Sequence, residues 1–342
     1  MSGLQINPNL KNIPTYQPGR PIEDVARELG LPVEGIIKMA SNENPFGPSP
    51  VAVAAMEKAL GQLNLYPDGN AFYLKQKLAA HVGVQPVNLI LGNGSNEIIE
   101  FVGHALLGPG TEVVVSQYCF AVYPMVTQMF GAKLVSVPAN NYGHDLQAML
   151  RAITPQTRIM FVANPNNPTG TIPPRADLVD LINNIPPHVL LVMDEAYIEF
   201  LEDIVDFLPF VRREMPNLIL MRTFSKIYGL AGLRVGYGIA AKELVAALDD
   251  TEHVERTRAN NFAGRQHLEG ELRKLKLMFV PSHGNFVLVK VGDGQKAFFE
   301  LQKLGVIVRP MAGYSLPEFI RISIGTAAEN TRCIDALRKV LR

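Results

Sequence analysis

The sequence predicts an α/β fold, with a mostly parallel sheet covered by helices on both faces and a smaller α+β unit after it. Three observations support this class. Short runs rich in Val, Ile and Leu alternate with helical patterns between residues 88 and 240. These runs are almost continuously apolar, as expected for strands buried on both faces. After residue 240, strands and helices follow each other in a different order, which is typical of an α+β unit.

Composition and charge describe an ordinary soluble protein. The chain has 342 residues, of which 47% are hydrophobic and 19% charged, so it can bury a large core. Lys and Arg number 32, as do Asp and Glu, and the resulting net charge of zero gives no support for binding to nucleic acid or to an anionic membrane. Residues 1–19 are polar and proline-rich and lack the apolar core of a signal peptide.

Cysteine and histidine patterns point to neither disulfides nor metal. Cys119 and Cys333 are far apart and form no CxxC motif, so we expect no disulfide framework and a reducing cytoplasm. The 7 histidines form no HxxxH or HExxH pattern, so a metal site has no support.

The first part of the chain is expected to be irregular. Residues 1–48 contain one helical pattern, Ile22–Leu29, and we expect them to form an N-terminal arm and part of a small domain. Helices are predicted next at Pro50–Leu60 and Ala71–His81. Residues 49–240 are expected to form a large domain, and residues 241–342 a small C-terminal α+β domain.

The elements that follow are predicted from apolar runs and from helical spacing. Strands are expected at Asn88–Leu91, Glu112–Ser116, Lys133–Val137, Arg158–Ala163, Val189–Met193, Leu218–Met221 and Val235–Ile239. Helices are expected at Ile98–Leu107 and Ala121–Phe130, in a segment ending near Ala152, and at Arg175–Asn183. The last third is predicted to hold helices at Asp250–Lys276, Gln295–Leu304 and Glu329–Leu341, and strands at Gly284–Val291, Val306–Arg309 and Phe319–Ile324.

Four polar stretches each follow a predicted strand. They are Gly92–Glu97, Asn164–Gly170, Asp194–Tyr197 and Thr223–Lys226. Ligands of parallel α/β sheets bind beyond the carboxyl ends of the strands, so these stretches are expected to meet at one site.

The residues of these stretches suit a carbonyl compound that carries a phosphate. Lys226 follows a buried strand, where lost hydration lowers the pKa of an amine and favours its attack on a carbonyl. Thr223, Ser225 and Arg234 suit a phosphate monoester. The Gly-rich turn before Ile98 could bind an anion at a helix N-terminus. Taken singly, a solvated lysine and a plain N-cap by Ser95 or Asn96 remain open alternatives.

Together these features suggest pyridoxal phosphate. That cofactor withdraws electrons while its pyridine nitrogen is protonated, and an acid beside the nitrogen keeps the proton in place. Asp194, at the end of an apolar strand, is suitably placed for this role. Tyr197 and Asn167 could hydrogen-bond the phenolic oxygen of the cofactor. Such bonds would tune the pKa of the Schiff base that the cofactor forms with lysine.

An ordered set of motifs resembles the fold type I pyridoxal-phosphate aminotransferases, and among them the histidinol-phosphate aminotransferases. The motifs are SNENP at Ser41–Pro45, YPD at Tyr66–Asp68, NPNNPTG at Asn164–Gly170, DEAYIEF at Asp194–Phe200, RTFSKIYGLAGLR at Arg222–Arg234 and FIRISIG at Phe319–Gly325. They span nearly the whole chain. The resemblance implies a cytoplasmic transaminase of histidine biosynthesis that converts L-histidinol phosphate and 2-oxoglutarate to imidazole-acetol phosphate and L-glutamate.

The resemblance also implies roles for residues that would contact the cofactor. Lys226 would form the Schiff base and act as the base for proton transfer, and Asp194 would pair with the pyridine nitrogen. Tyr197 and Asn167 would hold the phenolic oxygen, and Phe120 would stack on the ring. The phosphate would be held by Ser95, Asn96, Thr223, Ser225 and Arg234, and by Tyr66 of the other subunit of a homodimer.

For the substrate, the resemblance implies that Arg321 binds the carboxylate of glutamate and the phosphate of histidinol phosphate in turn. Arg309 would assist it, Tyr16 of the N-terminal arm would touch substrate, and Asn44 of the SNENP motif is included in the substrate site. A surface ion pair is the alternative for Arg321. Its position among Ile320, Ile322 and Ile324 on a strand argues against that alternative.

Three other functions remain open. An aromatic amino acid aminotransferase would use the same fold and cofactor, because Arg321 also suits a carboxylate. A pyridoxal-phosphate decarboxylase of phosphothreonine shares many of the motifs. A non-catalytic binding protein is disfavoured by the complete set of Asp194, Lys226 and Arg234.

The chain departs from the family pattern at one place. Glu243–Ala246 is followed almost directly by Ala247–Glu255, where the family has an inter-domain helix and a loop that lines the substrate pocket. Two explanations are open, a true deletion and a mobile loop missing between Ala246 and Ala247, and we expect the loop.

Overall fold

The computed structural model describes residues 9, 13, 19–69, 71–212, 215, 217–236 and 251–341. Three of the sequence predictions fall wholly or mostly outside these residues. They concern Tyr16, the junction at Ala246–Ala247 and the strand at Val235–Ile239.

The secondary structure alternates along most of the described chain. The helices are α1 (Ile22–Leu29), α2 (Pro50–Ala59), α3 (Phe72–Val82), α4 (Ser95–Leu106), α5 (Val122–Met129), α6 (Leu146–Arg151), α7 (Arg175–Asn184), α8 (Leu208–Arg212), α9 (Thr251–Lys274), α10 (Gly294–Lys303) and α11 (Ala327–Val340). The strands are β1 (Ile37–Lys38), β2 (Glu112–Ser116), β3 (Lys133–Val137), β4 (Thr157–Ala163), β5 (Leu190–Asp194), β6 (Leu218–Met221), β7 (Phe279–Val280), β8 (Phe286–Lys290), β9 (Val306–Ile307), β10 (Arg309–Pro310) and β11 (Phe319–Ser323).

A five-stranded parallel sheet forms the centre of the first part of the chain. Its order is β3-β2-β4-β5-β6, and every neighbouring pair is parallel. Val162 and Met193 face a core with Leu181 of α7, whereas Phe161 and Val192 face one with Ile99 of α4. Strands β4 and β5 are therefore covered on both faces, which explains their nearly continuous apolar sequences, whereas Lys133, Leu134 and Ser136 of the edge strand β3 are exposed. The predicted α/β class is confirmed.

The order of this sheet reverses beside β2. From β2 the chain moves outward to β3 and then returns to the other side of β2 as β4. Connections on the two sides of such a switch point diverge, which leaves a crevice at the carboxyl ends of the strands. This topology places the ends of β2, β4, β5 and β6 along one edge.

A second sheet lies in the C-terminal part and has the antiparallel order β10-β11-β8-β7. The N-terminal segment joins the C-terminal part, because Ile37 of β1 pairs with Val306 of β9 and Val25 shares a core with Leu337 of α11. Among the described residues, no helix is long and apolar enough to cross a membrane.

Two predicted strands differ from the structure. The prediction at Asn88–Leu91 was wrong, because a 3-10 turn at Pro86–Asn88 precedes irregular chain and only Gly92 forms a bridge, to Gly236. Val306–Arg309 is divided into β9 and β10, because β9 pairs with β1 and β10 with β11. The two-residue strands β1 and β7 and the short helix α8 were not predicted.

Candidate active site

One pocket lies at the carboxyl edge of the parallel sheet. Its lining includes most of the residues that the sequence singled out: Ser95, Asn96, Phe120, Asn167, Asp194, Tyr197, Thr223, Ser225, Lys226, Arg234, Arg309 and Arg321. The four polar stretches after the predicted strands each contribute to this lining. The topology explains the convergence, since β2, β4, β5 and β6 all end at this edge.

Asp194 is the buried acid of the pocket. It ends β5 and is 6% exposed. Its Oδ2 accepts a hydrogen bond from Tyr123 Oη at 2.6 Å, and its Oδ1 accepts one from the Ala196 N–H at 3.1 Å. Burial raises the pKa of Asp194 above its ordinary value, although these hydrogen bonds and the charge of Lys226 act in the opposite direction.

Tyr123 was not predicted as a site residue. It lies on α5, is buried, and its ring stacks on Phe161 of β4 with the centroids 4.4 Å apart. Burial, followed by the charge of Asp194, raises the pKa of Tyr123 well above its ordinary value. The phenol is therefore a fixed hydrogen-bond donor to Asp194.

Lys226 is half-buried on the loop that follows β6. Its Nζ donates to the Ser41 carbonyl at 3.4 Å and lies 5.5 Å from the centroid of the Tyr197 ring. The Tyr197 hydroxyl accepts from Asn42 Nδ2 at 2.9 Å and from Asn167 Nδ2 at 3.4 Å. The amine, the phenol and two amides thus share one wall of the pocket.

An anion cradle lies at the beginning of α4. Ser95 and Asn96 form the first turn of this helix, whose N–H groups and dipole favour negative charge. Arg234 approaches so closely that a Cβ on Gly94 would lie 2.7 Å from its Nη2. A Cβ on Gly236 would lie 2.1 Å from the Ser95 nitrogen, so glycine allows the two chain segments to meet.

Arg321 is buried in the second sheet and reaches the same pocket. It is 2% exposed, and its Nη1 donates to Asn167 Oδ1 at 2.6 Å while its Nη2 donates to the Ala40 carbonyl at 3.1 Å. Its guanidinium lies 5.1 Å from the centroid of the Phe286 ring. In the antiparallel pairing of β10 with β11, Arg309 is the residue directly opposite Arg321. Two guanidinium groups from adjacent strands therefore line the pocket, which suits an anionic ligand.

The family follows from a comparison with known proteins. The model of the family described as aminotransferase class I and II matches residues 34–251 and 240–337, which together cover most of the chain. The chain belongs to the class I and II aminotransferases.

Curated relatives of this aminotransferase match it over nearly their whole length. A histidinol-phosphate aminotransferase from Akkermansia muciniphila is 48% identical over 357 residues, covering 98% of each chain. Histidinol-phosphate aminotransferase 1 from Thiobacillus denitrificans is 49% identical, covering 98% of this chain and 93% of the relative. The aligned length of 357 exceeds the 342 residues of this chain, so the relatives contain residues that it lacks.

A solved structure shows the same fold. The crystal structure of histidinol-phosphate aminotransferase from Sinorhizobium meliloti in complex with pyridoxal-5'-phosphate has a TM-score of 0.86 and 28% sequence identity, and covers 99% of this chain and 98% of its own.

Two predicted residues of the aminotransferase site lie elsewhere. Asn44 is not among the described residues that line the pocket, because its Nδ2 donates to the Ile227 carbonyl and its Oδ1 accepts from the Phe46 N–H, both at 2.9 Å. Its neighbours Asn42 and Glu43 line the pocket instead. Tyr66 is fully exposed, and it too is not among the described residues of the lining.

Proposed function

We propose that this aminotransferase uses pyridoxal phosphate to transfer the amino group of L-histidinol phosphate to 2-oxoglutarate, giving imidazole-acetol phosphate and L-glutamate. The names of the curated relatives support this substrate pair. The observation that carries the proposal is one pocket that combines Asp194, Lys226, the cradle at α4 and Arg321. These groups match, in turn, a ring nitrogen, a carbonyl, a phosphate and a substrate anion.

The residues present fit the cofactor. When bound, pyridoxal phosphate supplies an electron sink for the substrate carbon that carries the amino group. The helix N-terminus at Ser95, with Thr223, Ser225 and Arg234, would hold its phosphate. The close approach of Gly236 to the Ser95 nitrogen keeps this cradle compact, and Phe120 offers an aromatic face at the same pocket.

Asp194 holds a proton at the ring nitrogen. In the buried site a carboxylate alone is unfavourable, as the raised pKa of Asp194 indicates. A protonated ring nitrogen beside it would form a buried, hydrogen-bonded ion pair. Tyr123 Oη keeps the carboxylate oriented through its 2.6 Å hydrogen bond.

Lys226 moves a proton. Its Nζ takes the proton that leaves the amino-bearing carbon of the donor substrate. In the second half of the reaction it gives a proton to the carbon of 2-oxoglutarate that receives the amino group. The Ser41 carbonyl, which accepts from Nζ at 3.4 Å, orients the amine in the pocket.

Arg321 and Arg309 bind the anionic end of each substrate. A guanidinium offers parallel donors to both carboxylate and phosphate oxygens, so one site can serve 2-oxoglutarate and histidinol phosphate in turn. Burial of Arg321 in a sheet lined by Phe286 strengthens this interaction because water competes less.

We also propose that the enzyme works as a cytoplasmic homodimer in which Tyr66 completes the site of the neighbouring subunit. Tyr66 is fully exposed, and the chain on either side of it carries further exposed apolar side chains, namely Leu60, Leu63, Leu65, Phe72 and Tyr73. Such a concentration of exposed apolar side chains is typical of an interaction surface.

The function is tested with purified protein loaded with pyridoxal phosphate. We expect glutamate to form from 2-oxoglutarate when L-histidinol phosphate is supplied. Lys226→Ala should abolish this, whereas Lys303→Ala, which removes an exposed lysine from α10, should not. Glutamate formed only from aromatic amino acids would contradict the substrate assignment, and carbon dioxide released without glutamate would contradict amino transfer.

A further inference from the structure

Asn42 lines the pocket and has no role in the function proposed above. It is 1% exposed and has a left-handed backbone with φ of 56°. Asn is among the few residues that adopt this conformation readily, but the backbone alone does not explain the contacts of its side chain.

Four hydrogen bonds fix Asn42. Its backbone N–H donates to Ser323 Oγ at 2.9 Å, and its carbonyl accepts from Asn285 Nδ2 at 3.2 Å. Its Oδ1 accepts from Ser323 Oγ at 2.8 Å, and its Nδ2 donates to Tyr197 Oη at 2.9 Å. Since Ser323 already accepts from the backbone N–H, its own proton goes to Oδ1. The Asn42 amide is thereby oriented with its NH₂ group toward Tyr197.

This orientation constrains the Tyr197 hydroxyl. A phenol has one proton to donate and can accept at its oxygen. Asn42 Nδ2 and Asn167 Nδ2 both donate to that oxygen, at 2.9 and 3.4 Å. Tyr197 therefore acts toward these two amides as an acceptor, and its proton is directed to a third position.

We propose that Asn42 is a positioning residue, which directs the Tyr197 proton so that Tyr197 donates a hydrogen bond to the phenolic oxygen of pyridoxal phosphate. The inference rests on the cofactor assigned under the proposed function. Asn42 lies between β1 and α2, and it is held by Ser323 of β11 and by Asn285, next to β8. Residues of the antiparallel sheet and next to it thus orient the hydrogen bond that Tyr197 would donate at the edge of the parallel sheet.

A hydrogen bond donated to the phenolic oxygen stabilises negative charge there. With the cofactor bound, its titratable proton would then be released at lower pH, and the absorbance of the bound cofactor would report this release. The charged and titratable groups that line the same pocket would be unchanged in every variant below, and they are Glu43, Asp194, Lys226, Arg234, Arg309 and Arg321. Tyr123, behind Asp194, is unchanged as well.

The test is Asn42→Asp, which keeps the shape of the side chain but replaces the donor to Tyr197 with an acceptor. Tyr197 should then donate to this carboxylate. We expect the pH midpoint of the cofactor absorbance to rise by about one to two units, the size expected when a hydrogen bond to a charged group is lost.

A second pair of variants separates this role from the added charge. In a Tyr197→Phe background, Asn42→Asp should raise the midpoint by much less than in the wild type. An equal rise in both backgrounds would overturn the proposal, because the effect would then be that of the charge alone. If Asn42→Asp does not fold, Asn42→Gly replaces it, because glycine keeps the left-handed backbone. Asn42→Gly should raise the pH midpoint of the cofactor absorbance by a smaller amount, and this rise should also disappear in the Tyr197→Phe background.

Titration of the wild-type protein distinguishes a failure of the proposed function from a failure of the role proposed for Asn42. A wild-type protein that binds pyridoxal phosphate without any pH-dependent absorbance would contradict the proposed function and, with it, the role of Asn42. A normal wild-type titration together with an unchanged midpoint in Asn42→Asp would contradict only the role of Asn42.

Discussion

At the scale of single residues, Asp194 shows how burial serves chemistry. The carboxyl is 6% exposed and lines the pocket together with Lys226, and Tyr123 and the Ala196 N–H donate to it. Burial disfavours its charge, so the site is suited to a cationic ring nitrogen as partner.

Asp194→Asn should reduce kcat by several orders of magnitude while the fold survives. The amide keeps the shape of the side chain but loses the charge that holds the proton on the ring nitrogen. The expected loss is far greater than the roughly fivefold effect of one neutral hydrogen bond of about 1 kcal/mol. Steady-state kinetics with saturating cofactor measure it, and near-normal kcat would show that another group protonates the ring.

The same substitution should not destabilise the cofactor-free protein at pH 7. Burial raises the pKa of Asp194 from its ordinary value of 3.8, so the folded state binds this proton more tightly than the unfolded state does. Ionisation therefore lowers the stability of the wild type as pH rises above 4. Thermal unfolding should give Asp194→Asn an equal or higher Tm at pH 7, with the difference vanishing near pH 4. A clearly lower Tm at pH 7 would contradict this sign.

At the scale of elements, the anion cradle depends on two chain segments that meet without side chains between them. The first turn of α4 presents Ser95, and Gly236 packs against its nitrogen. Gly236 bridges Gly92 on one side and Thr223 on the other, so it links the Gly-rich turn to the lysine loop. The cradle should therefore be sensitive to a single methyl group.

Gly236→Ala should weaken pyridoxal phosphate binding at least tenfold, because its Cβ would lie 2.1 Å from the Ser95 nitrogen and the backbone would have to shift. Gly270→Ala on α9 is the matched control, since nothing lies within 4 Å of its added Cβ. Titration of the cofactor-free proteins measures both affinities. Equal affinities for the two variants would show that the cradle tolerates the shift.

Much of the element pattern could be predicted, because the parallel strands have strongly apolar sequences. The bounds of Ile22–Leu29, Glu112–Ser116, Lys133–Val137 and Leu218–Met221 were predicted as the structure has them. The failures have tertiary causes. β1 exists only through its pairing with β9, and two residues have no periodicity that could reveal them.

Within the site, the sequence identified the motifs but not every residue that a motif contributes. Asn44 was selected from Ser41–Pro45, whereas Asn42 reaches the pocket, because the left-handed backbone at Asn42 turns the segment. The sequence analysis did not single out Tyr123, whose role is shown by its 2.6 Å hydrogen bond to Asp194. The division at residues 49–240 and 241–342 stays a prediction, as do the roles carried over from the family.

At the scale of the whole molecule, the proposed dimer with shared sites rests on the exposed Tyr66 and on the exposed apolar side chains that are near it in the sequence. The family model matches in two segments that overlap at residues 240–251, a range that includes the Ala246–Ala247 junction. That junction lies outside the described residues, and the missing loop expected there stays a prediction.

Shared sites predict complementation between two inactive variants. Tyr66→Phe and Lys226→Ala dimers, mixed under conditions that exchange subunits, should recover about a quarter of wild-type activity. At equal concentrations half of the dimers are hybrids, and each hybrid has one intact site. Tyr66→Phe must first be shown to be clearly impaired alone. No recovery despite proven exchange would place Tyr66 outside the neighbouring site.

The most direct test of the account is the identity of the lysine that holds the cofactor. Borohydride reduction of the protein loaded with pyridoxal phosphate fixes the cofactor covalently, and peptide mass spectrometry locates it. We expect one label, on Lys226. It should be lost in Lys226→Ala, while circular dichroism shows that this variant keeps its fold. A label on any other lysine, or labelling that persists in Lys226→Ala, would contradict it.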